Sequence, residues 1–135
     1  MTRVVICIIL LLSICSQSFA HQHKKHSRTF DPLYGSALAA ANRFLHAWQT
    51  EDHETGIMML SDIARQSLSS DKLQNFFSPG ADAAYEIARG KRVNSAAYEF
   101  PVVLFGASSA PSRPHACTVV VSRSGKNEWA VDKLP

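Results

Sequence analysis

His115–Pro135 reads HACTVVVSRSGKNEWAVDKLP. A β-branched run from His115 is followed by a polar turn, Ser122–Asn127, holding Gly125. A second run closes on Trp129, Val131 and Leu134. Two such runs around a glycine-bearing turn predict a β-hairpin. A lone hairpin is only marginally stable in water, so the chain before it must supply a third strand and a covering layer. Which of its side chains face that layer depends on register, because a one-residue slip exchanges the two faces.

Immediately upstream, Val93–Phe105 predicts one long strand. Ala96, Tyr98, Phe100, Val102 and Leu104 share one face, and Val93, Ser95, Ala97, Glu99, Val103 and Phe105 the other. Pro101 in its middle has no N–H to give a ladder and asks for an edge or a bulge. From Val102 to Phe105 both faces are apolar, which predicts cover on both sides. Before it, Tyr85, Ile87 and Arg89 alternate with Glu86 and Ala88 up to Gly90, a shorter strand. Gly106–Pro114, GASSAPSRP, reads as a loop.

Further back the period changes from two to 3.6. Over Tyr34–Thr50 the residues Ala37, Leu38, Ala41, Phe44, Leu45 and Trp48 fall on one arc of a helix. Ala39, Asn42, Arg43, His46 and Gln49 fall on the other. Ser36 is the expected N-cap. Asp52 is placed to cap a second helix through Gly56, Met58, Met59 and Leu60, running on to Gln66. Ser69 or Ser70 caps a third, Asp71–Phe77, with Leu73, Phe76 and Phe77 inward and Ser78-Pro79-Gly80 as its stop.

The first twenty residues stand apart. Arg3, the apolar run Val4–Ile14 and Ser18-Phe19-Ala20 have the layout of a secretory signal peptide with cleavage after Ala20. The apolar run is shorter than the roughly 20 residues a membrane span needs, so no span is expected after cleavage. Ile14 stands where a lipoprotein signal ending at Cys15 would need a small residue, which argues against lipidation. Cys7 and Cys15 leave with the signal; Cys117, the remaining thiol of three, has no internal partner for a disulfide. Residues 21–32 form a His- and Lys-rich arm, HQHKKHSRTFDP, and residues 33–135 a single domain. With 14 Lys and Arg against 11 Asp and Glu, the charge does not point to nucleic acid. A secreted or periplasmic protein is expected.

Helices first and an antiparallel meander last make an α+β domain with segregated layers. Ala41-x-x-Phe44-Leu45-x-Ala47-Trp48 with Asp52, Gly56 and Met59-Leu60-Ser61, and then Val119-x-Val121, Gly125 and Trp129-x-Val131-Asp132, resemble the nuclear transport factor 2-like superfamily. That superfamily is the cystatin-like cone that also houses ketosteroid isomerases and related small lyases. The resemblance implies N-terminal helices packed on a strongly curved antiparallel sheet, a pocket between them, and pairing of copies through the outer sheet face as a homodimer. Ketosteroid isomerases set a carboxylate base opposite a tyrosine and a protonated acid. Here the helix body carries no tyrosine on its inward arc, the acids on offer are Asp62, Glu99 and Asp132, and His46 points outward.

Several groups invite a functional reading. Phe44, Trp48, Phe76, Tyr85, Tyr98, Phe100 and Trp129 can line a pocket for a small apolar ligand, or fill the core as aromatics usually do. Tyr98 needs a partner for its hydroxyl if buried. His115 and Cys117 share a strand face but start about 7 Å apart; a buried inert thiol is the plainer reading. Arg89-Gly90-Lys91-Arg92 is a basic turn for solvent or for an anionic partner. A new N-terminus at His21-Gln22-His23 would offer an amine, amides and an imidazole in the square-planar set that suits Cu(II) or Ni(II), with His21 and His23 as the metal residues. No cofactor and no catalytic residue is assigned. The expected function is an exported non-catalytic module binding a small apolar ligand or a protein partner, with an isomerase or lyase and the His arm as alternatives.

Overall fold

A computed structural model describes residues 31–106 and 113–135. Four helices come first: α1 Pro32–Gln49, α2 His53–Met58, α3 Asp62–Ser67 and α4 Ser70–Phe76. Five strands follow: β1 Ala84–Ile87, β2 Lys91–Asn94, β3 Ala97–Phe105, β4 His115–Arg123 and β5 Trp129–Lys133. All strand pairings are antiparallel. β3 pairs with β4 from Ala97 to Leu104, and β4 pairs with β5. The other edge of β3 is shared between β1 at its C-terminal half and β2 at its N-terminal half. The sheet stays open.

α1 forms where its apolar arc predicts. Ala37, Ala41, Phe44, Leu45 and Trp48 are buried, and Leu38 packs against them half-buried. Its start differs from the expectation of a Ser36 cap. Asp31 is the N-cap, its carboxylate accepting from the Leu33 N–H at 3.1 Å, and Pro32 occupies the first helical position. Proline has no N–H to waste there and its φ is already helical, so Asp31-Pro32 begins the helix instead of ending the arm. Opposite α1, one sheet face supplies Tyr98, Phe100, Val102 and Leu104 from β3, Val119 and Val121 from β4 and Val131 from β5. Each buried side chain of this size is worth roughly 1.5–3 kcal/mol.

Three strand expectations need correction. The predicted strand Val93–Phe105 is a hairpin: β2 ends at Asn94, whose side-chain oxygen accepts from the Ala96 N–H at 2.8 Å and turns the chain at Ser95–Ala96. Pro101 lies in a central strand, in unbroken register opposite Thr118. Its carbonyl accepts from the Ala88 N–H at 2.8 Å. The ring nitrogen on that same edge therefore faces the gap between β1 and β2, where no ladder bond is lost. Cover is also unequal: Val102 and Leu104 are 2% exposed, while Val103 and Phe105 on the opposite face are half-buried.

The helix predicted from Asp52 to Gln66 is two helices. Asp52 does cap α2, accepting from the Thr55 N–H at 3.0 Å. The chain then leaves the helix at Met59–Ser61 to lie along β5. Val131 donates to the Met59 carbonyl at 2.8 Å and accepts from the Ser61 N–H at 3.0 Å, and Ser61 caps α3 through Ala64. Leu60 is buried at 2% exposure by this docking. Tertiary backbone bonds outweigh the helical periodicity at that point.

Candidate functional site

The docked segment Met59–Ser61 shapes one wall of an open cleft. Because Leu60 is turned into the core, its neighbours on α2 and α3 point away: Met58 is 63% exposed and Ile63 79%. They overhang a cleft of about 730 Å³ between the α2–α3 junction and the β4–β5 hairpin. Thr55, Met58 and Met59 form one wall and Ser61, Asp62, Ile63 and Arg65 the next; Ser122, Ser124, Glu128, Trp129, Ala130 and Asp132 line the hairpin side. Arg43 reaches in from α1. The volume falls within the range of ordinary ligand sites.

The charges are unevenly paired. Arg65 and Asp62 form an ion pair one helical turn apart. Arg43, Glu128 and Asp132 join no ion pair among the described residues. All three are exposed.

The seven aromatics named from the sequence do not surround that cleft as a set. Phe44 and Trp48 are buried and pack on half-buried Phe76, the first stacked and the second tilted, with ring centroids at 6.0 Å and 6.3 Å. Phe76 in turn meets Phe77 edge-on at 5.0 Å. Tyr98 and Phe100 are buried at the other end of α1, where Tyr34 packs on both at 5.9 Å and 5.7 Å. Tyr85 is half-buried, its hydroxyl donating to the Asn42 carbonyl at 3.3 Å. Half-buried Trp129 sits 5.7 Å from the Tyr98 ring and is the member of the seven that also lines the cleft.

Tyr98 has the partner its burial demands. Its hydroxyl donates to the second oxygen of Asp31, the α1 cap. Arg92 stands 3.8 Å from the same oxygen and 5.6 Å over the Tyr98 ring. The hydrogen bond from Tyr98 holds the Asp31 carboxyl below its ordinary range, with the Leu33 N–H and Arg92 acting in the same direction. Burial, and then the bond to Asp31, push the Tyr98 phenol up. This is a tyrosine beside a carboxylate, yet the carboxylate is held ionised as an acceptor and is not a protonated donor.

The other named residues are dispersed. Glu99 pairs with Lys91 at 3.6 Å. With Lys91 and Arg92 both facing acids, the basic turn at Arg89–Arg92 is largely neutralised within the fold. His46 is exposed on the outer arc and His115 is exposed at the start of β4. Cys117 is half-buried, its thiol contacting the Val102 carbonyl at 3.6 Å, and burial pushes its pKa up. That is the environment of an inert thiol. Among the described residues no three His, Cys, Asp or Glu side chains gather as a metal site. The arm residues His21 and His23, and the whole signal segment, lie outside the described residues. No described helix is long and apolar enough to cross a membrane.

Sequence reasoning missed Arg43, Met58, Ile63 and Glu128 as cleft residues. Arg43 was placed correctly on the outer arc of α1, but nothing in a helical period says what that arc faces. Met58 and Ile63 could have been found had the break at Met59–Ser61 been legible.

No family model matches the chain, and no curated protein matches it in sequence. Solved structures do resemble it. A ketosteroid isomerase-like protein from Erwinia carotovora atroseptica has a TM-score of 0.54 at 18% identity, over 76% of this chain and 92% of that one. A domain of unknown function with a cystatin-like fold from Nostoc punctiforme has a TM-score of 0.53 at 17% identity, over 78% and 81%. An uncharacterized cystatin fold protein from Novosphingobium aromaticivorans has a TM-score of 0.50 at 16% identity, over 73% and 97%. At these identities the likeness concerns the fold. The order of helices, the open antiparallel sheet and these neighbours agree: the chain has a cystatin-like α+β fold, with helices packed on an antiparallel sheet.

Proposed function

We propose that this protein is a non-catalytic binding module whose site is the cleft beside Trp129, and that it takes a ligand with an apolar body there. The observation that carries this reading is the position of Met58 and Ile63. They are two of the three exposed large apolar side chains among the described residues, and both line one cleft of about 730 Å³. Exposed apolar side chains gathered in a concave site mark an interaction surface. Acid–base catalysis calls for ionisable groups that converge on a reacting atom. Here Tyr98 and Asp31 satisfy each other, and the acids lining the cleft, Asp62, Glu128 and Asp132, are exposed.

The test is titration with anilinonaphthalene sulfonate, which fluoresces in apolar sites, while the Trp129 indole resonance is followed by NMR. Saturable binding that shifts Trp129 and is weakened in a Met58→Ser, Ile63→Ser protein supports the cleft. Binding that ignores both substitutions sinks it.

Two further parts of the reading concern where and how the module acts. Export is supported by the signal-like layout of Arg3, Val4–Ile14 and Ala20; mass determination of the N-terminus after expression with secretion tests it, and the same sample shows whether His21-Gln22-His23 takes up one Cu(II). Pairing of two copies through the outer sheet face is supported by half-buried Val103 and Phe105. Light scattering on the wild type and on a Val103→Lys protein tests it: a monomer in both cases removes the idea.

A further inference from the structure

We infer that the cleft takes a short apolar peptide with free amino and carboxyl ends. The inference rests on the cleft being the binding site and adds the class of ligand.

Charge decides between classes of apolar ligand. Arg65 and Asp62 neutralise each other. What remains is one guanidinium, Arg43 on α1, and two carboxylates, Glu128 and Asp132, on the hairpin side. None of the three has an ion-pair partner among the described residues. A fatty acid or other apolar anion would satisfy Arg43 while facing two carboxylates. A cationic amphiphile would satisfy the carboxylates and leave Arg43 opposed. A ligand with an ammonium at one end and a carboxylate at the other complements both walls. In the same cleft Met58, Ile63 and Trp129 offer apolar surface, and the unbranched Met58 side chain adapts to different shapes. An apolar oligopeptide carries this arrangement of groups. The cavity volume, about 730 Å³, is that of a site for a few residues and not for a folded partner.

The experiment compares trileucine, N-acetyl-trileucine and trileucine amide by calorimetry on the purified protein, with the Trp129 indole resonance as the local readout. Trileucine is expected to bind and to shift Trp129. Each capped form is expected to bind roughly fivefold more weakly, the worth of one exposed charge-assisted contact. In an Arg43→Gln protein the free peptide and its amide should bind alike. In a Glu128→Gln, Asp132→Asn protein the free and acetylated peptides should bind alike. All these side chains are exposed, so the variants are expected to fold. Equal binding of the three peptides to the wild type, or capping preferences that the variants leave unchanged, overturns the inference while the cleft remains a binding site. The same holds if anilinonaphthalene sulfonate shifts Trp129 and no peptide does. If neither probe shifts Trp129, the inference and the cleft reading fall together.

Discussion

Asp31 and Tyr98, 67 residues apart in the chain, are joined by a hydrogen bond from the phenol to the carboxylate. The same carboxylate caps α1 through the Leu33 N–H. One side chain thus fixes the first turn of the helix and ties it to the central strand of the sheet. Replacing Tyr98 by Phe keeps the ring stack on Tyr34, Phe100 and Trp129 and removes only the hydroxyl. The expected loss is about 1 kcal/mol in urea denaturation. Asp31→Ala should cost more, because the cap goes with the clasp. A double mutant whose loss equals the sum of the two single losses would show that the two residues are not coupled.

The clasp sets a pH dependence with a definite sign. Asp31 has its folded pKa lowered, first by Tyr98. Its contribution is complete above the unfolded value of about 3.9 and is lost as pH falls through the folded value. Asp52, held down by its bonds to Thr55, adds loss of the same sign in the same acid window. Tyr98 is raised by burial, so its contribution is complete below about 10 and is lost as pH rises through its folded value. Tyr85, raised by burial, adds to that alkaline loss. Urea midpoints measured from acid to alkaline pH should show Asp31→Asn flattening the acid limb and Tyr98→Phe the alkaline limb. An unchanged acid limb in Asp31→Asn would remove Asp31 from the account.

Three glycine positions separate sterics from helix propensity. A methyl at Gly56 would stand 2.1 Å from the buried Phe77 ring. At Gly90 it would stand 2.4 Å from the Phe100 ring and 2.8 Å from the Glu99 carbonyl. Gly56→Ala and Gly90→Ala are each expected to destabilise by about 1–3 kcal/mol through overpacking. Gly35 lies in α1 with nothing within 4 Å of such a methyl. Gly35→Ala should stabilise by about 0.5–1 kcal/mol. Thermal melts of the three variants check the order, and a stabilised Gly56→Ala would contradict the packing described around Phe77.

Trp48 is 1% exposed, whereas Trp129 is half-buried at the cleft. Acrylamide quenching of the native protein should therefore reach one emitter and spare the other. Trp129→Phe is expected to remove the quenchable component. If quenching persists undiminished in that variant, Trp48 is the accessible ring and the core assignment is wrong.

Cys117 should behave as a partly shielded thiol. Its raised pKa, caused by burial, lowers the thiolate fraction at neutral pH. Reaction with Ellman's reagent is expected to be slow in the native protein and to accelerate on unfolding in urea. Equal rates in both states would mean the thiol is open.

Elements whose signal is local and repeated were legible in the amino-acid sequence. The inward arc of α1, from Ala37 to Trp48, the cap at Asp52, and the hairpin closing on Trp129 and Val131 all follow from periodicity and caps, while the structure chose Ser69 over Ser70 as the cap of α4. Together they carried the fold class. Tertiary structure alone decided where local signals compete. Met59–Ser61 leaves its helix because Val131 offers backbone bonds that no helical period records. Asn94–Ala96 turns because an Asn side chain satisfies a backbone N–H within a run that is otherwise strand-like. Pro101 is tolerated centrally because β1 and β2 leave a gap opposite it. The cleft depends on the first of these decisions: Met58 and Ile63 reach its walls once Leu60 has been turned into the core, and Arg43 lines it together with Glu128 and Asp132 from elements distant in the chain. Periodicity reports which way a side chain leaves its own element, and only packing reports what stands opposite.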